Sequence, residues 1–450
     1  MDRRTFVKTG AGAFAVMSAD RLLGASAPSN RVRLALIGCH KRSRGEDLLG
    51  NALRLAREGV EIACVCEVDS RARDYAADAV EKATGTAPVK ATDLRKVLED
   101  KTLDGIISAT PDHWHAPSAV MAMRAGKHVY VEKPCAFCPR EGEILLDVWR
   151  QTGKVLQVGT QRRSAPLVRR AMEEIAAERL LGTPRWGRCW FMSRRSPIGK
   201  GCECAPPEWL DWNLWQGPAP RRAFRNNIVH YKWHWFRHWG TGECGNNSVH
   251  FMDLVRGVLG VEWPTRVVAG GGKVWIPEND DWAWPDMHNY TFEFPGGKVI
   301  TWEGLSCMAA KPYMDMATGA MVYGDKACVL FRPNNTVEMF DLQGKLLKEW
   351  KTAVPVGEAK DTSNRQNGGP GDSTRYHIRN FVDCIRANAP EKANANAEIG
   401  VKSTFLALAA NIAHATGETL RVDPSTGRLA QGSAGASLWS REYEKGWELA

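Results

Sequence analysis

Val32-Arg33-Leu34-Ala35-Leu36-Ile37-Gly38-Cys39-His40-Lys41-Arg42-Ser43-Arg44-Gly45 is the stretch on which the fold turns. An apolar strand, broken only by Arg33, runs into a polar turn that opens on Gly38, and a helical pattern follows over 48–58. Strand, glycine turn and helix together present a helix N-terminus to a phosphate. The alternation then repeats. Strands are expected over 61–68, 104–109, 128–131 and 154–158, with helices over 71–84, 94–98, 116–125 and 140–152. Uninterrupted apolar strands joined by helical crossovers make a parallel sheet covered on both faces.

After residue 160 the rhythm changes. A helix over 165–178 and a strand over 186–192 precede a Pro- and Trp-rich segment, 194–239. Hairpin pairs follow: 289–294 with 298–302 around Pro295-Gly296-Gly297, then 320–323 with 327–331, then 336–340 with 345–350. A polar loop over 355–373 leads to helices over 375–387 and 399–416. The fold class expected is α/β plus α+β. An N-terminal Rossmann parallel sheet carries helices on both faces, and a C-terminal domain holds an open, mostly antiparallel meander sheet. The expected divisions are an export signal and linker (1–30), a nucleotide-binding domain (31–158), a substrate and oligomerisation domain (159–422) and a tail over the surface (423–450).

The 450 residues carry a formal charge of +9, but the cations are scattered. The densest group, Arg162-Arg163 with Arg169-Arg170, makes no stripe for nucleic acid. Asp2-Arg3-Arg4-Thr5-Phe6-Val7-Lys8 followed by a weakly apolar run reads as a twin-arginine export signal, which implies a periplasmic or other extracytoplasmic protein. The run is too short to span a bilayer, and no later segment reads as a membrane anchor. The 12 cysteines include one C-x-x-C, Cys135 to Cys138, with no partner at zinc spacing, so most are expected to be buried small hydrophobes.

Site residues are expected at the carboxyl ends of the parallel strands. In the first turn a dinucleotide fingerprint asks for glycine at 38, 40 and 43; Gly38 matches, while His40 and Ser43 replace the others. His40, Lys41, Arg42 and Ser43 are therefore read as cofactor contacts beside Gly38. Glu67 ends the second strand, where an acid accepts from ribose hydroxyls and repels a 2′-phosphate, favouring NAD. Ala109-Thr110-Pro111-Asp112-His113-Trp114-His115 is read as a polar loop, with Thr110, Pro111, His113 and His115 on the cofactor. Glu132-Lys133-Pro134 places a charged pair at the end of a buried strand, a costly arrangement unless function holds it there. Lys133 is the first candidate to touch both cofactor and substrate, and Glu132 is read with it as a cofactor contact. Gly159-Thr160-Gln161-Arg162-Arg163 adds Gln161 on the cofactor and Arg162 and Arg163 on the substrate. Trp233 and His234, from the Trp-rich segment, join the substrate side. A helix from about 245 places Asn246 and His250 four apart on one face, a hydrogen-bond donor beside a proton acceptor, with Asp253 three further. His250 and Asp253 have no third ligand spaced for a metal, and none is expected.

On these residues, together with Leu210-Asp211-Trp212, Gly217-Pro218 and Arg379-Asn380-Phe381, the chain over 31–422 resembles the exported branch of the Gfo/Idh/MocA oxidoreductases. The resemblance implies NAD, hydride transfer at a sugar-ring carbon, Lys133 on the reacting oxygen, His250 as proton acceptor and homo-oligomers paired through the C-terminal sheet. Asn246 stands where family members usually carry Asp. Three functions compete: a sugar oxidoreductase with a tightly held, self-recycled cofactor; an NAD-dependent glycoside hydrolase that oxidises, eliminates, hydrates and reduces; and a non-catalytic carbohydrate-binding protein.

Overall fold

The structure, a computed structural model, describes residues 30–40, 44–351 and 373–449. The export signal, Lys41, Arg42, Ser43 and the polar loop up to residue 372 lie outside the described residues. The first half runs β1 (Val32–Ile37), α1 (Gly45–Leu53), β2 (Val60–Cys66), α2 (Ser70–Thr84), β3 (Val89–Ala91), α3 (Leu94–Glu99), β4 (Gly105–Ser108), α4 (Asp112–Arg124), β5 (His128–Val131), α5 (Pro139–Thr152) and β6 (Leu156–Val158). All six strands are parallel, in the order β3-β2-β1-β4-β5-β6. The order reverses between β1 and β4, which opens a crevice at their carboxyl ends. Leu34 and Leu36 face one apolar core and Ala35 and Ile37 the other, as a strand buried on both faces requires.

The short strand β3 escapes the sequence reading because two of its three residues are exposed and carry no apolar run. A larger difference concerns residues 109–115. Only 109–111 stay outside regular structure: Pro111 occupies the N-cap position of α4, and Asp112 to His115 form its first turn, with the Asp112 carboxylate at the helix N-terminus. Pro117 lies inside α4. Lacking an N–H, it leaves the His113 carbonyl without its usual partner, and Arg441 Nη2 donates to that carbonyl at 2.6 Å.

The second half contains α6 (Pro166–Glu178), β7 (Pro184–Met192), α7 (Trp212–Gln216), a π turn (Cys244–Ser248), α8 (Val249–Leu259), β8 (Arg266–Gly272), β9 (Met287–Phe294), β10 (Lys298–Leu305), β11 (Thr318–Gly324), β12 (Ala327–Phe331), β13 (Val337–Asp341), β14 (Leu346–Trp350), α9 (Ser373–Ala387), α10 (Ala397–Thr416) and β15 (Leu420–Arg421). Its nine strands lie in the order β14-β13-β12-β11-β7-β10-β9-β8-β15. The hairpins form where expected, but the sheet is no simple meander. Strand β7 inserts between β11 and β10 and pairs parallel to β10, Val299 opposite Trp186. Helix α10 joins the two halves: Ala397, Val401 and Leu408 belong to a core under the parallel sheet, Phe405, Leu406 and Ile412 to that of the second sheet. The tail packs back on the first half, with Trp447 edge-on to Trp114. Among the described residues no helix is long and apolar enough to cross a membrane.

Candidate functional site

Gly38 makes the crevice possible. Its φ is +82°, and a Cβ there would sit 2.8 Å from the carbonyl oxygen of Ala109. Only glycine lets β1 turn this close to the end of β4. Glu67 braces the same turn: its carboxylate accepts from the N–H groups of Cys39 (2.7 Å), Val68 (2.8 Å) and Asp69 (3.0 Å). A carboxylate offers about four acceptor directions. Turn bracing therefore takes most of a group expected to serve two ribose hydroxyls. Burial pushes the Glu67 carboxyl up from its ordinary range, against those three donors. The crevice is open to solvent and runs between Gly38, His40, Glu67, Thr92, Thr110 and Pro111 on one side and Leu214, Trp215, His230 and Trp233 on the other. The Trp-rich segment thus forms its second wall.

Two expected cofactor contacts are placed elsewhere. His113 is fully buried, its ring nitrogens facing the carbonyls of Trp239 (3.3 Å) and Trp215 (3.1 Å), so it anchors the Trp-rich segment. His115 bridges the carbonyls of Pro134 (2.7 Å) and Thr110 (2.8 Å), tying the turn after Lys133 to the start of α4. Both enter the helix as structural struts, because α4 starts before them.

Beyond the crevice lies Lys133. Its Nζ donates to the Asn246 main-chain oxygen at 2.5 Å and faces the Asn246 side-chain oxygen at 3.3 Å. Burial lowers the ammonium's pKa, opposed chiefly by Glu132 and Asp112. Glu132 is itself paired with Arg44, whose Nε lies 3.5 Å from Oε1. Arg44 also meets Asp47 at 2.7 Å and Thr374 at 3.0 Å, and with its amide oriented to suit its neighbours Gln161 accepts from Arg44 at 3.2 Å. Gly159 is needed here, since a Cβ would strike the Glu132 carboxylate at 2.8 Å. Gln161 therefore steadies Arg44, while Glu132 faces Arg44 as an ion pair and keeps two buried carboxylate oxygens without a hydrogen-bond partner.

His250 stands on α8 just past the π turn. Burial, then the neighbouring cations Lys133, Arg162 and Arg44, hold its pKa well below the usual imidazole value. It is neutral, and its Nδ1 is buried with no protein partner. Asn246 Nδ2 and Thr160 Oγ1 are buried and unpartnered too. Such groups cost free energy unless a ligand meets them. The π turn replaces the α-helical start expected at 245, so the spacing of Asn246 and His250 is not that of an ordinary helix. His234 is buried at 9 % exposure and stacks on Trp233 at 3.6 Å, with Nδ1 on the Tyr231 carbonyl at 2.7 Å. Its pKa is driven well down by burial, with Lys133 among the nearby cations.

Arg162, Arg163 and Asp253 serve the fold. Arg162 donates to Pro333 O (3.0 Å) and Asn335 Oδ1 (2.9 Å) and lies over Phe251, holding the turn between β12 and β13. Arg163 clamps Asp253 at 2.6 Å, and Ser403 donates to the other carboxylate oxygen. Asp253 is thus neutralised in the core. The sequence reading misses a buried pair near the site, Arg195 with Glu243 (2.5 and 3.1 Å), which also engages Tyr231 and Asn247. Its one sequence signal is a charge on either side of a Trp-rich run. Of the cysteines, all free, only Cys202 and Cys204 are exposed.

Residues 32–160 match the model of an oxidoreductase family's NAD-binding Rossmann fold, and residues 198–341 match that family's C-terminal alpha/beta domain. A 4-carboxy-2-hydroxymuconate-6-semialdehyde dehydrogenase of Sphingobium is 33% identical over 162 residues, 36% of this chain and 49% of the relative. A glycosyl hydrolase family 109 protein of Stenotrophomonas maltophilia is 36% identical over 169 residues, 36% of this chain and 34% of the relative. The chain thus spans half or less of the length of these curated relatives. In three dimensions it resembles the WlbA dehydrogenase of Bordetella pertussis, solved with NADH and UDP-GlcNAcA, with a TM-score of 0.61 at 18% identity over 87% of this chain and 99% of that one. The residues around the crevice fit a dinucleotide: Gly38, Glu67, Thr110 and Pro111 line it at the carboxyl ends of the parallel strands, and three N–H donors leave Glu67 part of its acceptor capacity.

Proposed function

The chain belongs to the Gfo/Idh/MocA family of oxidoreductases, and we propose that it transfers hydride between NAD and a ring carbon of a sugar or sugar derivative. The observation that carries this is the contact of Lys133 Nζ with Asn246, whose Nδ2 is buried without a protein partner, as is Nδ1 of His250 just along the same helix. NAD would lie along Gly38, Glu67, Thr110 and Pro111 and supply the hydride acceptor. Lys133 would donate to the reacting oxygen and stabilise charge as a C–OH becomes C=O. His250, neutral and with a free nitrogen, would take the hydroxyl proton. Asn246 would orient Lys133 and donate to a second hydroxyl; it cannot relay a proton as a carboxylate would.

The same reading includes export by the twin-arginine route, with a cofactor that is held tightly and restored each turnover, and a homo-oligomer paired through the nine-stranded sheet. The export pattern at Arg3-Arg4 supports the first; the exposed Leu342, Leu346 and Leu347 on β13–β14 support the second. A redox-assisted glycoside hydrolase is the second reading, favoured by the 36% identity to the family 109 protein and by Asn246.

The deciding experiment measures the cofactor content of the purified, undialysed protein after acid release. Near-stoichiometric NAD is expected; sugars and glycosides are then screened without added cofactor. A protein that neither contains NAD nor binds it when added overturns the proposal.

A further inference from the structure

Three side chains far apart in sequence meet at the mouth of the crevice. His40 follows the Gly38 turn, Asp69 caps α2, and His230 belongs to the Trp-rich segment. Their ligand atoms all lie within 4.8 Å of one another, the one such group of three among the described residues. The imidazole rings stack at 3.8 Å with 16° between their planes, and His230 Nε2 is 2.9 Å from Asp69 Oδ2. Asp69 is 1% exposed. Its Oδ1 accepts from the N–H groups of Arg71 and Ala72 and from Arg71 Nε, while Arg71 Nη2 reaches Oδ2. Backbone donors and a guanidinium thus hold the carboxylate's orientation, as outer partners of metal ligands do.

We propose that His40, Asp69 and His230 bind one divalent transition-metal ion of the zinc class, and that this ion pins the Trp-rich segment over the dinucleotide crevice. Two imidazoles and a carboxylate suit zinc, cobalt or nickel and are a poor set for magnesium or calcium, which take oxygen ligands. Three protein ligands leave a tetrahedral ion one position for water. The site joins the first strand's turn to the opposite wall: His40 and His230 both line the crevice, and Trp215 and Trp233 lie in the wall that carries His230. Closing that wall holds a bound dinucleotide in place. A metal-free clasp, His230 bonded to Asp69 with His40 stacked on it, is the competing account.

Full-length protein is stripped with a chelator and titrated with zinc against a chromophoric competitor, then with cobalt read by its visible absorption. One ion per chain is expected, with binding at least about tenfold weaker in His230→Ala and in Asp69→Asn. Asp69→Asn keeps an oxygen to cap α2. If His230→Ala fails to fold by circular dichroism, His40→Ala makes the same comparison from the other wall of the crevice. Cys202→Ser with Cys204→Ser should leave binding unchanged. Loss of pre-bound or added NAD, followed by dilution, should be faster in the stripped protein than in the zinc-loaded one. Absence of a bound equivalent, equal binding by wild type and His230→Ala, or loss of the ion with the two cysteines overturns the proposal, whatever sugar the protein acts on.

Discussion

The ammonium of Lys133 is held by the main-chain oxygen of Asn246, 2.5 Å away, at the point where a π turn interrupts the approach to α8. The helix carrying the proton acceptor therefore also aims the residue that steadies the reacting oxygen. Lys133→Met should lower kcat by about 10²–10³-fold, the usual effect of losing one donor to developing negative charge. NAD content should stay near wild type. Full turnover by this variant would remove Lys133 from the site.

Burial lowers the Lys133 pKa, so activity that needs the ammonium should fall as pH rises, at a pH below the ordinary lysine value of about 10.4. Asn246→Asp places a carboxylate beside that ammonium. It should favour the charged form and move the alkaline limb of kcat/KM upward by about one pH unit or more. A profile of kcat/KM from neutral to alkaline pH checks both; an unmoved limb would detach it from Lys133.

His250→Ala should reduce kcat by about 10²–10⁴-fold, the range for losing a positioned acid or base. With His250 held neutral, the acid limb should lie below about pH 6.5.

Stability should respond to acid with a definite sign. His113, His234 and His250 all have folded pKa values pushed well below the imidazole norm, chiefly by burial. The unfolded chain binds more protons as the pH drops through about 6.5, so the stability of the fold decreases there. Urea midpoints between pH 8 and 5 test this. A midpoint that rises toward acid would contradict it.

Arg441 reaches from the tail to Glu141, which is completely buried, and to the carbonyl that Pro117 leaves unpaired. Arg441→Ala should cost about 3 kcal/mol, because the buried carboxylate loses its countercharge and keeps only the Phe137 N–H and the Tyr443 hydroxyl. Adding Glu141→Gln to it should recover part of that loss in thermal denaturation.

Periodicity makes most of the first half legible, β3 and the start of α4 excepted. Strands β1 and β5 have the expected bounds because a strand buried on both faces is an unbroken apolar run between turns. The later hairpins are legible for a similar reason: each turn lies between its own two strands. The place of β7 is not, since its partners on β10 lie more than a hundred residues away and local pattern says nothing of them. Lys133 and Asn246 can be named from their motifs, and the structure brings them into contact. His113, Arg162, Arg163 and Asp253 carry site-like residue types, yet each is spent on a carbonyl or an ion pair within the core.

The sequence by itself determined the order of the elements, the Gly38 turn and the chemistry available at Lys133 and His250, because these depend on residue type and spacing along a few turns of chain. Tertiary structure decided which polar groups remain for a ligand. Glu67 braces a turn, Glu132 meets Arg44, and His40 meets Asp69 and His230. A buried charge or hydrogen-bonding group takes the nearest partner the fold supplies, and that partner usually arrives from a distant part of the chain.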